Sequence, residues 1–236
     1  MSLPKVAVPT FKLTLPSSKK EITFRPLLVK EEKVLLMAVE AGDEVSMITA
    51  VKEVVSSCVT SEKLDVDKLP FFDLEYIFLN IRAKSIGEII PLEYRHTDGV
   101  NYKGEACEEV TKIDLNLEEV KVTFLPEHTS KIKLDDTMYV EMSYPTIEGI
   151  KKAIENNNQI EVIARSIKCV YVNDEVHDPD NLQDSMDFID SLNSTQFDMI
   201  SKFFETMPKL RHELQYKCKK CGQEDKINLE GLADFF

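Results

Sequence analysis

Leu214-Gln215-Tyr216-Lys217-Cys218-Lys219-Lys220-Cys221-Gly222 sets a CxxCG knuckle directly behind a predicted strand over residues 212–217. In such a knuckle two thiolates converge on one ion, and the glycine permits the tight turn behind them. A structural zinc takes four ligands, so one knuckle is half a site, and redox dithiols share the spacing. The other half lies far upstream. Leu92-Glu93-Tyr94-Arg95-His96 matches Leu214-Gln215-Tyr216-Lys217-Cys218 position by position in character. Cys107 with Glu109, Lys112, Ile113, Asp114 and Leu115 matches Cys221 with Gln223, Lys226, Ile227, Asn228 and Leu229 at identical spacing. Phe72-Asp73-Leu74 and Phe197-Asp198-Met199 open the helices predicted before each set of strands.

The pattern reads as a divergent internal duplication of helix, strand, knuckle and strand. It puts His96 where Cys218 sits and Cys107 where Cys221 sits, with an insertion, Thr97 to Ala106, expanding the first knuckle. Two knuckles facing each other make the site of a zinc ribbon. The candidate ligands of a structural zinc are therefore His96, Cys107, Cys218 and Cys221. Four protein ligands leave no position for water, which points to stability rather than catalysis. The competing reading makes His96 and Cys107 ordinary loop residues and leaves the CxxC as free thiols.

Outward from the knuckles, alternation over 11–27, broken by Pro16-Ser17-Ser18, predicts an N-terminal β-hairpin. From Glu31 the period becomes helical, with Val34, Leu35, Ala38 and Val39 as one stripe and Ala41-Gly42-Asp43 as its end. Further helices are expected over 43–58 and 71–85, the latter burying Leu74, Ile77, Phe78 and Ile81. Strands follow at 89–94, 110–115, 119–125, 131–134 and 138–143. A helical insertion is expected next, with helices near 146–155, 158–171 and 180–191 and a fourth from Ser194. The last strands, 212–217 and 225–229, lead to a short acidic tail over 232–236.

The expected class is α+β: N-terminal hairpin and helices, a zinc-ribbon-like β module split across the chain, and a helical insertion. Its parts are 1–88, 89–145, 146–211 and 212–236, forming one compact unit.

Hydrophobic content of 43% and charged content of 30% suit a soluble chain with a sizeable core. The formal net charge of −13 repels phosphate backbones, so no nucleic-acid partner is expected. The segment MSLPKVAVPTFKLTLP lacks the charged start and apolar core of an export signal, and no apolar run is long enough to span a bilayer. The five cysteines then read as reduced thiols or metal ligands. Cys58 and Cys169 are placed on apolar helix faces as core thiols, and His128, His177 and His212 as surface or capping residues. Asp178, Asp180, Asp184 and Asp187 lack the glycine and terminal glutamate of an EF-hand loop and read as a solvated face. No nucleophile elbow, Walker loop, HExxH or dinucleotide fingerprint is present, and the chain is expected not to be an enzyme.

Four stretches carry a resemblance. They are Pro9-Thr10-Phe11-Lys12-Leu13-Thr14-Leu15-Pro16; Phe24-Arg25-Pro26-Leu27-Leu28-Val29-Lys30-Glu31-Glu32-Lys33; Asp73-Leu74-Glu75-Tyr76-Ile77-Phe78-Leu79 with Arg82-Ala83-Lys84-Ser85; and Phe203-Phe204-Glu205-Thr206-Met207-Pro208 to the end. With them the chain resembles the T-even-type bacteriophage baseplate protein family over nearly its whole length. The resemblance implies a baseplate hub subunit or hub assembly factor of a contractile tail. It implies residence in the infected host's cytoplasm or in the virion tail baseplate.

Three functions compete at this stage. The first is a hub component or assembly factor acting through protein–protein surfaces, its acidity complementing basic tail proteins. Leu232, Phe235 and Phe236 are its candidate partner anchor, unless the rings fold back on the chain's own core. The second is a transient chaperone of a tail protein such as the tape measure, gripping an amphipathic helix between helices 31–58 and 146–207. The third is a zinc-ribbon nucleic-acid binder using Lys217, Lys219, Lys220 and Lys226, which the overall acidity disfavours.

Overall fold

The computed structural model describes residues 6–61, 64–96, 99–173 and 175–235, without the side chains of Ala233 and Asp234. Strands β1 (Phe11–Thr14) and β2 (Glu21–Phe24) form the expected hairpin, with Leu13 opposite Ile22. Helices α1 (Val29–Ala41), α2 (Glu44–Cys58) and α3 (Phe71–Ile86) follow. Then come β3 (Ile89–Tyr94), β4 (Thr111–Asn116), β5 (Lys121–Thr123), β6 (Lys131–Lys133) and β7 (Met138–Met142). The later part holds α4 (Ile147–Glu155), α5 (Gln159–Ser166), β8 (Ile167–Val172), β9 (Glu175–His177), α6 (Leu182–Asp190) and α7 (Ser194–Thr206). Strands β10 (Lys209–Lys217) and β11 (Glu224–Glu230) and a 3-10 turn, Leu232–Phe235, end the described chain. The fold is α+β, its small sheets all antiparallel: β1-β2, β3-β4, β11-β10-β5 and β6-β7-β8-β9.

Helix α3 organises the molecule because it is apolar on two faces. Leu74, Ile77, Phe78 and Ile81, the predicted stripe, pack with the hairpin, α2 and Ile147 of α4 in one core. Leu79 and Ala83 face a second core built from Leu115, Leu117, Val120, Leu210, Leu214, Leu229 and Phe235. A third core lies between the β6–β8 strands and α5–α7. Phe72 reaches toward it, meeting Tyr144 edge-on at 5.0 Å, and Tyr144 stacks on Phe203.

Several expectations are corrected. The helix expected over 158–171 ends at Ser166, and Ile167–Val172 is a strand paired with β7. Its alternating Ile167, Cys169 and Tyr171 suit a pleated surface, so Cys169 is a buried strand thiol rather than a helical one. Within the helical segment 146–211, β8 and β9 complete a four-stranded sheet with β6 and β7. Val39 of α1 is exposed, whereas Ala38 is buried. His128 is half-buried rather than superficial, stacked on Tyr144 and lying 4.9 Å from Phe203.

Candidate metal centre

The predicted duplication is visible in the strand registers. Leu92 pairs with Ile113 in one hairpin, and Leu214 with Ile227 in the other; Ile90 opposite Leu115 corresponds to His212 opposite Leu229. Tyr94 and Tyr216, matched positions of the repeat, stack on each other at 5.9 Å, so the halves meet face to face. Each strand pair then delivers its knuckle to the same end of the ribbon.

In the second knuckle the chain turns tightly. The Gly222 N–H donates to the Cys218 carbonyl, and the Cys218 N–H donates to the Gln223 carbonyl. Gly222 adopts φ +73°, a left-handed conformation that costs glycine little. In the first knuckle the Gly99 N–H donates to the His96 carbonyl and the Cys107 N–H to the Gly99 carbonyl, reproducing the turn around the insertion. Within the described part of the insertion, Asn101 Oδ1 accepts the Lys103 and Glu105 N–H groups. Its Tyr102 N–H donates to Gln223 Oε1, tying the two knuckles together. Thr97 and Asp98 lie outside the described residues.

The four predicted ligands converge. One ligand atom from each of His96, Cys107, Cys218 and Cys221 lies within 4.8 Å of every other. Cys107 Sγ stands 3.8 Å from Cys218 Sγ, and Cys221 Sγ stands 3.3 Å from His96 Nε2. A zinc–sulfur distance of about 2.3 Å in a tetrahedron gives sulfur–sulfur edges of about 3.8 Å, so the spacing fits a four-coordinate ion. All the cysteines are free thiols, and of these ligands only Cys221 is partly exposed.

Electrostatics favour thiolate formation unequally. The backbone N–H groups of Cys221 and Lys220 and the His96 ring outweigh burial and bring the Cys218 thiol down to about 6. The Glu109 N–H pulls Cys107 down, but burial and the neighbouring Cys218 and Cys221 sulfurs leave it raised. Three thiolates would place a net negative charge in this small volume, and a divalent cation with an imidazole offsets it. Three sulfurs and one nitrogen without carboxylates suit zinc rather than calcium or magnesium.

A family profile described as "T4 bacteriophage base plate protein" matches residues 8–236, essentially the whole chain. The chain belongs to this family. No curated protein and no solved structure matches it significantly. Membership gives this baseplate protein a structural role in the phage tail, associated with the virion tail and with other baseplate or tail proteins. No helix among the described residues is long and apolar enough to cross a membrane.

Elsewhere, the baseplate protein uses its conspicuous residues locally. Cys58 is buried on α2, and burial pushes its thiol up to about 11. His177 is exposed on β9 and His212 half-buried on β10. Asp184 accepts the Asp180 N–H and Asp187 the Gln183 amide. At the C-terminus, Phe235 is fully buried in the second core, so that ring is spent on the chain's own packing rather than offered outward. Leu232 is half-buried against the first core, its N–H donating to Glu75 Oε1 at 2.9 Å, and Phe236 lies outside the described residues. The Tyr94–Tyr216 stack and the Tyr102–Gln223 tie carried no chemical signal in sequence. The matched tyrosines of the repeat were the one available hint.

Proposed function

We propose that this baseplate protein serves the central hub of the contractile tail, as a hub component or hub assembly factor, by binding other tail proteins. Its scaffold is closed by one structural zinc held by His96, Cys107, Cys218 and Cys221. The observation that carries the zinc reading is their convergence from two matched knuckles at the spacing of a tetrahedral site. When bound, the ion supplies a neutralising charge and a cross-link between residues 111 to 125 positions apart in the chain. Backbone N–H groups hold the thiolates, and the tyrosine stack sets the two halves at the right separation. The hub assignment is supported by the family match and by the acidic charge, which suits basic tail partners.

Two measurements test this. Protein purified without chelator should carry about one zinc per chain and lose thermal stability when zinc is removed. Absence of metal together with indifference to chelator would overturn the zinc reading. For the hub, purified mature tails and baseplate intermediates are probed for the protein. Presence in mature tails identifies a component. Presence in intermediates alone identifies an assembly factor, including a transient chaperone of a protein such as the tape measure. Absence from both defeats the hub assignment.

A further inference from the structure

Helix α1 packs Val34, Leu35 and Ala38 inward and turns its remaining apolar residues outward. Of its thirteen residues only Glu31 and Ala38 are buried. Glu31 is the anchor: its carboxylate takes Arg25 Nη2 at 2.8 Å, Ser57 Oγ at 2.7 Å and the Leu28 N–H at 2.9 Å. Burial would raise this carboxyl, but Arg25, Ser57, Leu28 and Lys30 together hold it down at about 2. Meanwhile Val29, Leu36, Met37 and Val39 are 66%, 63%, 70% and 62% exposed. The Leu27 N–H donates to Ser85 Oγ at 2.8 Å, setting the start of α1 beside the last turn of α3. There Ile86 is 68% exposed and, just past Gly87, Ile89 is 55% exposed. Six of the thirteen large apolar side chains exposed among the described residues thus lie on α1 or near the end of α3 beside its start, a concentration that marks contact surfaces.

The charges around the patch choose its partner. Glu32 and Glu40 share the outward face, Glu44 follows at the start of α2, and none of the three has an ion pair among the described residues. Lys30 is held by Glu31 at 3.1 Å, which leaves Lys33 as the free cation of this helix among the described residues. No basic residue occupies the last turn of α1, and Glu40, Asp43 and Glu44 cluster at that end, Asp43 capping α2. An apolar ridge with acidic borders complements a helix having an apolar stripe flanked by Lys or Arg. We propose that the outward face of α1, with Ile86 and Ile89, docks a cationic amphipathic helix of another tail protein. This deepens, and rests on, the reading that the chain acts by binding other tail proteins.

The test uses the purified full-length protein and two synthetic helical peptides sharing one leucine stripe, flanked in one by lysines and in the other by glutamates. The lysine peptide should bind at least about tenfold more tightly, and Leu36→Asp with Met37→Asp should abolish that binding. Because both side chains are largely exposed, the double variant should keep its melting temperature, which separates lost docking from lost folding. Glu40→Lys with Glu44→Lys should shift the preference toward the glutamate peptide. No binding of either peptide, equal binding of both, or binding that survives the double variant overturns the proposal. So does a wild-type dimer in sedimentation that the double variant dissociates, because a second copy then covers the face. If the peptides fail while the protein is still found in tails, the docking proposal falls and the hub assignment stands.

Discussion

The two halves of the ribbon share a repeat, a register and a matched tyrosine, yet they are held in place differently. The second half, β10 with β11, also pairs with β5 and contributes Leu210, Leu214 and Leu229 to the core behind α3. Its end is pinned by Phe235 and by Glu75 on the Leu232 N–H. Among the described residues the first half, β3 with β4, pairs only with itself and buries Leu115 as its one completely enclosed strand side chain. Its knuckle is interrupted by an insertion and uses a histidine. Both halves therefore pack on the same core, but the first, with Ile90, Leu92 and Ile113 only partly buried there, leans more on the proposed metal and the tyrosine stack. A duplicated motif need not have duplicated energetics.

Metal removal tests this most severely. Structural zinc is worth on the order of 10 kcal/mol in isolated zinc-finger peptides, and most of its effect here should fall on the first half. Chelation, or Cys107→Ser, should raise amide exchange across 89–116 by orders of magnitude while amides around Leu210 stay protected. Simultaneous loss of protection in both halves would break the comparison.

Next in size is Phe235→Ala, expected to cost about 3–5 kcal/mol in chemical denaturation, because the ring is fully buried. Deleting residues 232–236 should lower the melting temperature as strongly. An unchanged melting temperature would free this tail to be a partner anchor after all.

Glu75 sharpens the contrast through pH. Burial, opposed by the Leu232 N–H and Lys209 and aided by Glu230, raises its carboxyl from 4.5 to about 7. The folded protein therefore holds this proton more tightly than the unfolded chain. The group's contribution is greatest below about pH 4.5 and is lost as pH rises to about 7, a swing of about 3 kcal/mol. Glu75→Gln keeps an oxygen acceptor for Leu232 and should flatten this dependence between pH 5 and 8, measured as the difference in denaturation midpoint from wild type. An identical slope in both proteins would show that the folded protein does not hold the Glu75 proton more tightly than the unfolded chain.

The smallest effect belongs to the stack joining the halves. Tyr94→Ala and Tyr216→Ala should each forfeit about 0.5–1.5 kcal/mol of ring–ring energy beyond lost burial. The double variant should be less destabilised than the sum of the two, because either change alone removes the shared contact. Strict additivity would mean that the rings do not support each other.

Much of the ribbon was legible because cysteine, glycine and paired apolar positions recur at fixed spacing, and such recurrence survives without any knowledge of packing. His96 and Cys107 could be matched to Cys218 and Cys221 for that reason. The first core face of α3 was legible too, since Leu74, Ile77, Phe78 and Ile81 keep a helical period. Strand β8 was not, because Ala164, Ile167 and Val170 fit a helical stripe as readily as Ile167, Cys169 and Tyr171 fit a strand. Pairing with β7 decided between them.

By itself, then, the sequence determined the α+β class, the repeat and the four residues that meet at the candidate metal centre. These follow from local periodicity and from the ligand chemistry of thiols and imidazole. Only the tertiary structure decided which apolar residues would be inside. Phe235 is buried because the space behind α3 accepts it. Val29, Leu36, Met37 and Val39 remain outside because the Glu31–Arg25 ion pair and the packing of Val34, Leu35 and Ala38 fix α1 by its other face. Burial depends on what else arrives at the same place, and no local pattern records that.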